Sequence, residues 1–109
     1  MIGFVDAKQD TLKVAEPKSE ECYRLLFNDD NTVWGKSSTN NFSCIYEIDL
    51  QSSIKLSYFL MTEINELYDG RLYIECLKNV NTFSMTEKGL VLYYESNKFL
   101  LFKPIEHED

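Results

Sequence analysis

The sequence predicts an α+β fold: a mostly antiparallel curled sheet or partial barrel of about seven or eight short strands, with one helix before the C-terminal hairpin. Three observations carry that reading. Apolar and polar residues alternate with period two in several short stretches bounded by turn residues, the pattern of half-buried strands. One stretch breaks the alternation: Leu72, Tyr73, Cys76, Leu77 and Val80 are spaced to line one face of a helix. Seven Tyr, seven Phe and one Trp in 109 residues favour pleated surfaces, on which flat side chains pack well.

The elements follow in order. Ile2 to Val5 read as part of a first strand, and Ala15 to Glu21, with Pro17 among charged residues, as a surface loop. Tyr23 to Phe27 form the next strand. The dense turn signal Asn28-Asp29-Asp30-Asn31 then returns the chain into Thr32, Val33 and Trp34, which makes a hairpin. After a polar loop from Ser37 to Asn41, Phe42, Cys44, Tyr46 and Ile48 alternate with Ser43, Glu47 and Asp49. Gln51-Ser52-Ser53 turns the chain, and Ile54, Leu56 and Tyr58 alternate with Lys55 and Ser57.

The pattern changes after Met61. Asp69 can cap the helix with Gly70 as its first residue, or the helix begins earlier, near Asn65. A Gly inside a helix costs about 1 kcal/mol, which favours the later start or a break at Gly70. Asn81 is a stop. Phe83 and Met85 open a further strand, Glu87-Lys88-Gly89 turns it, and Leu90 to Glu95 pair with Phe99 to Phe102 across Ser96-Asn97. Residues 1–103 thus read as a single domain and residues 104–109 as a frayed tail. One helix cannot cover both faces of so many strands, so the sheet must curl on itself with the helix over an open side or end.

Composition narrows function by exclusion. Eleven Lys and Arg are scattered among eighteen Asp and Glu, a formal charge of −7. Phosphate backbones and anionic membranes both need clustered base, so neither nucleic acid nor an acidic lipid surface is an expected partner. No apolar run is long enough to span a bilayer, and the first residues lack the apolar core of a signal peptide. A chain trimmed of an export signal would begin this way, as would a cytosolic protein with a short first strand. Cys22, Cys44 and Cys76 stand far apart without a CxxC and read as small buried apolar residues.

A search for chemistry finds little. The one histidine, His107, lies three residues from the end, so neither a Ser-His nor a Cys-His pair can be assembled around a core position. Three Cys and one His with no paired spacing do not make a structural zinc site. Asn28-Asp29-Asp30-Asn31 offers oxygen ligands but lacks the Gly and downstream Glu of a calcium loop, so it reads as a hairpin tip. Glu63, Glu66 and Asp69 could share a helix edge, the one arrangement on which a carboxylate-based hydrolase could be built. No Gly-rich phosphate loop exists, Asn41-Phe42-Ser43 fits a glycosylation sequon, and Trp34 reads as a core or sheet-edge residue with ligand stacking as the alternative. No cofactor and no metal is expected.

The order of the second half is more specific. Gly35-Lys36-Ser37-Ser38-Thr39-Asn40-Asn41-Phe42, then Tyr46-Glu47-Ile48-Asp49, then Met61-Thr62-Glu63, the helix, and the closing hairpin ending in Leu101-Phe102 resemble the META/HslJ-like domain family. The resemblance covers roughly Tyr23 to Lys103, with Ile2 to Val5 matching part of the family's first strand. It implies a β-rich bacterial domain of the exported, lipoprotein-like branch, with a signal and a lipid-anchor Cys upstream and an envelope or secreted location; a cytoplasmic one is the alternative. Members often carry Cys before the loop Asn and after the Thr segment. Here Thr39 precedes Asn40 and Glu63 follows Thr62, so no role of those cysteines carries over.

The family has no established enzymatic activity. The resemblance therefore implies a non-enzymatic domain acting through contacts with a protein or a small ligand, with Ser38, Thr39, Asn40, Thr62 and Glu63 as candidate binding residues. The same residues could instead fix loop geometry by hydrogen bonding to backbone. The alternative is a lipocalin-like small-molecule-binding barrel, which requires an apolar interior pocket.

Overall fold

The computed structural model of the chain describes residues 1–16, 22–62 and 68–104. They form strands β1 (Gly3–Asp6), β2 (Thr11–Val14), β3 (Arg24–Phe27), β4 (Thr32–Lys36), β5 (Asn41–Ile48) and β6 (Ile54–Met61), then helix α1 (Gly70–Lys78), then β7 (Thr82–Thr86), β8 (Gly89–Glu95) and β9 (Lys98–Phe102). All pairings are antiparallel. One sheet runs β2-β1-β9-β8-β7 and the other β3-β4-β5-β6. The sheets curl but do not close into a barrel.

They meet at one corner. Ile54 N donates to Asn81 O at 3.0 Å and Phe83 N to Ser52 O at 3.0 Å, which ties the start of β6 to the start of β7. The core lies between the sheets, where Val33, Leu92 and Leu100 are fully buried.

Local chemistry explains most of the elements. At the β3–β4 tip the Asp30 carboxylate accepts from Thr32 N at 3.1 Å, and Asn31 takes φ 69°, a conformation Asn tolerates. The bond that the Thr32 hydroxyl donates, then this backbone bond, hold the exposed Asp30 carboxyl below its ordinary pKa. Asp49 does the same at the β5–β6 turn, accepting from Gln51 N at 2.8 Å and Ser53 N at 3.0 Å, and its pKa is lowered too. Gly89 opens β8 at φ 132°, and a Cβ there would lie 1.9 Å from Phe102 O, so only glycine fits.

The structure departs from the sequence reading at three places. That reading assigns no element to residues 6–14, and β2 forms there by pairing with β1 at the sheet edge, from Gly3↔Val14 to Asp6↔Thr11. All four of its residues are exposed, so it carries no buried stripe for a periodicity to reveal. Ala15, expected in a surface loop, is buried; residues 17–21 of that loop lie outside the described residues.

Tyr58 is the third. The alternation of Ile54 and Leu56 puts Tyr58 inward, but it is 78% exposed. The β5–β6 register passes from Ser43↔Leu60 to Ile45↔Ser57, so β6 carries one extra residue, and Tyr58 absorbs it at φ 56°. Beyond this bulge Phe59 and Met61 pack toward the core and Leu60 points out.

The helix starts at Gly70, the later of the two expected positions, and ends at Lys78, short of Asn81. Asn81 already serves β7, its N donating to Tyr93 O at 2.9 Å. Asp69 stands at the N-cap without a side-chain capping bond. Its carboxylate instead accepts from Lys13 Nζ at 2.6 Å and Glu16 N at 3.0 Å, and so fastens the helix start to β2. Tyr73, Ile74, Cys76 and Leu77 bury the inner face. Tyr73 is wedged among rings, 5.2 Å from Tyr23 and 6.3 Å from both Phe42 and Phe102. The helix thereby plugs one opening between the sheets, at the start of β5 and the end of β6, where Lys78 lies 5.7 Å over the Phe59 ring.

Candidate functional site

The sequence-derived site residues converge in part. Ser37 and Asn40, 0% and 1% exposed, are the buried polar residues of the described core. Ser37 N donates to Asn40 O at 2.9 Å and Asn40 N to Ser37 Oγ at 3.1 Å, closing the β4–β5 loop on itself. Thr62 Oγ1 donates to Asn40 Oδ1 at 2.7 Å across 22 positions of sequence. Ser38 Oγ and Thr39 Oγ1 are 3.2 Å apart at the loop tip. Glu63 lies outside the described residues, as do Asn65, Glu66 and His107. The chemistry of Asn40 and Thr62 is that of a tie: it locks the β4–β5 loop to the end of β6.

The remaining titratable groups are set by burial. All three cysteines are buried and unpaired with one another. Desolvation pushes the Cys44 and Cys76 thiols up to about 11, so both stay protonated at neutral pH and lack thiolate reactivity. Burial likewise raises Tyr23 to about 12, and Tyr73 well above its ordinary value. Among the described residues no three metal-ligating side chains converge. Asp69, a carboxylate considered for hydrolysis, is committed to Lys13 and the Glu16 backbone.

Trp34 is neither a core nor a sheet-edge residue. It stands on β4, inside the four-stranded sheet, and is 62% exposed on the outer face. The register lines it up with Leu26 on β3 and Ser43 on β5, and Ser43 in turn with Leu60 on β6. Leu26, Trp34 and Leu60 thus make an exposed apolar row across the sheet.

The concave site lies elsewhere. Along β3, the edge strand of the four-stranded sheet, the two sheets stand apart. Leu25 and Phe27 of β3 face Met85 of β7, Leu90 of β8 and Phe102 of β9 across a cavity of about 300 Å³. A second lobe of about 250 Å³ runs on past Tyr46, Ile48, Ile54 and Phe83, sharing Phe27, Met85 and Leu90 with the first. The Phe27 and Tyr46 rings meet edge to face at 5.2 Å in its wall, and Tyr46 is oriented by its hydroxyl donating to Asn28 O at 2.9 Å.

Arg24 and Lys103 stand at the mouth of the larger lobe. The Met1 amine also lines it, donating to Tyr23 O at 2.8 Å. Its pKa is pushed down to about 6 by burial, then by the positive charges of Lys103 and Arg24.

Sequence reasoning missed this cleft. Its walls come from β3, β5, β6, β7, β8 and β9, and each contributing residue looks like ordinary core along the chain. The signal available was Ile48 and Met85: both sit at inward positions of their expected strands, and both are largely exposed. Compared with known proteins, the chain matches no family model, no curated protein and no solved structure.

Proposed function

We propose that the chain is a non-enzymatic binding domain that takes a small apolar ligand in the cleft between the splayed sheets. The observation that carries this is the cleft itself: concave, walled by Leu25, Phe27, Phe83, Leu90 and Phe102, and unfilled among the described residues. Its lobes of about 300 and about 250 Å³ are of the order found for small-molecule sites, which are mostly apolar with a few polar groups at the margin. The centre between the sheets is filled by Val33, Tyr73, Leu77, Leu92 and Leu100, so the ligand belongs at the rim and not in a barrel interior. The META/HslJ-like resemblance, with its envelope or secreted location, is compatible with such a role and rests on the loop and hairpin residues alone.

The test is fluorescence titration with N-phenylnaphthylamine, a neutral apolar probe that brightens in dry surroundings. Saturable enhancement is expected with the wild-type chain. Met85 is 71% exposed, so Met85→Glu should leave the fold intact. A carboxylate in the wall common to both lobes should weaken probe binding by about tenfold or more, from the cost of covering a charge with an apolar ligand. An unchanged titration in Met85→Glu would sink the proposal.

A further inference from the structure

The charge at the cleft mouth points to a more specific ligand. The chain carries a formal charge of −7, with eighteen acidic residues against eleven basic ones. Neither lobe of the cleft is lined by an Asp or Glu, whereas Arg24 and Lys103 both line the larger one. The described ion pairs are Lys13 with Asp69 and Lys98 with Glu95, and they leave Arg24 and Lys103 uncompensated. Two cations without carboxylate partners among the described residues, lining an apolar cavity in an acidic protein, form an arrangement that repels neither end of an anionic amphiphile.

Arg24 is half-buried at the first position of β3, and its backbone carbonyl accepts from the Tyr73 hydroxyl at 3.4 Å. Its base is therefore held, while the guanidinium fork suits two-point contact with a carboxylate. Lys103 follows directly on β9 and offers a flexible point charge.

We infer that the cleft binds a medium-chain amphiphile with an anionic head, the chemistry of a free carboxylic acid, with its apolar tail between the sheets and its head at Arg24 and Lys103. This rests on the apolar-cleft reading above and adds the identity of the head group. Leu25 and Phe27, which follow Arg24 on β3, together with Leu90 and Phe102, would cover the first part of the tail. Phe83 and Ile54 of the second lobe would cover its end.

The experiment is competition against bound N-phenylnaphthylamine with decanoate, decanol and decylammonium, all kept below their aggregation limits. Wild type should bind decanoate about tenfold tighter than decanol, the worth of one charge-assisted hydrogen bond, and decylammonium more weakly than either. The decanoate preference should shrink as salt is raised, while decanol binding stays level. The double variant Arg24→Gln, Lys103→Gln should bring decanoate and decanol to equal affinity. Lys103→Glu, at an exposed position, leaves one charge of each sign and should likewise remove the decanoate preference.

Equal affinity for decanoate and decanol in wild type would overturn the head-group inference while leaving the cleft standing. A preference that survives in the double variant would overturn it too. Failure of N-phenylnaphthylamine to bind would instead overturn the cleft reading beneath it. Binding to phosphatidylglycerol vesicles without any binding of monomeric decanoate would assign the cations to a lipid surface and reject a free amphiphile.

Discussion

At the scale of single residues, the polar contacts of this chain hold loops and the buried acids hold protons. The Thr62 hydroxyl on Asn40 Oδ1, 2.7 Å away, is a long-range bond that joins the β4–β5 loop to the end of β6. Thr62→Val keeps the shape and deletes the bond. It should lower stability by about 1 kcal/mol in urea denaturation, and Thr62→Ser should recover most of it. If the loop is a tie and not a ligand contact, N-phenylnaphthylamine affinity should be the same in both variants. The thiols give a pH dependence whose sign is fixed by burial. Cys44 and Cys76 titrate near 9 when unfolded and at about 11 when folded, so the folded chain keeps these protons longer. The stability they contribute is fully present below about pH 9 and is lost as pH rises toward 11. Tyr23 and Tyr94, raised from 10 to about 12, add their own loss only at still higher pH. On account of these groups the urea midpoint should therefore begin to fall near pH 9. In the double variant Cys44→Ala, Cys76→Ala the fall should begin about one pH unit later, where the tyrosines take over.

Elements were legible where one side of a strand or helix faces the core and the other faces water. The hairpin β3–β4, the strand β5, the helix and the closing strands β8 and β9 all announce themselves by that contrast and by the Asn, Asp and Gly residues between them. The β2 strand did not, because its pairing partner β1 and not a buried face makes it a strand. Nor did the phase change in β6. A bulge is a property of two paired strands, and nothing within residues 54–61 marks Tyr58 as the residue that absorbs the extra position. This gives a test with opposite signs for the two readings. Were Tyr58 a core residue, Tyr58→Gly would cost about 3–5 kcal/mol, as large aromatic truncations do. At φ 56° with its ring largely in solvent, it loses little contact and sheds the strain of an L-residue in the left-handed region. Tyr58→Gly should therefore be neutral or stabilising by about 1 kcal/mol, and Tyr58→Val, branched at Cβ, destabilising by a similar amount. Thermal denaturation of the three proteins side by side decides it.

The whole molecule is asymmetric in a way no single element reveals. The helix fills one part of the space between the curled sheets, where Tyr73 and Leu77 are fully buried. Along β3 the walls are apolar and unfilled among the described residues, from Arg24, whose carbonyl takes the Tyr73 hydroxyl, to Phe27, and Lys103 lines the same lobe. Of the candidate site, the sequence reading reached the Asn40–Thr62 tie, because its residues lie within recognisable segments. The cleft was out of reach, because it exists only once Phe27 of β3 is set facing Met85 and Leu90 of the β7–β8 hairpin, far along the chain. A cleft that serves binding should be a place where filling it stabilises the fold and abolishes the function, whereas the same enlargement in a packed core would cost about 1–3 kcal/mol. Leu90, half-buried between Met85 and Phe102 in register, is the position to enlarge. Leu90→Trp should project its ring into the shared part of the two lobes. Covering the apolar walls should raise stability by about 1 kcal/mol in urea denaturation. Binding of N-phenylnaphthylamine should disappear in the same protein. Loss of stability would mean the two sheets are already packed at this end. A gain in stability with the probe still bound would place the ligand outside the cleft, and only the pairing of greater stability with lost binding fits a cavity kept open for a ligand.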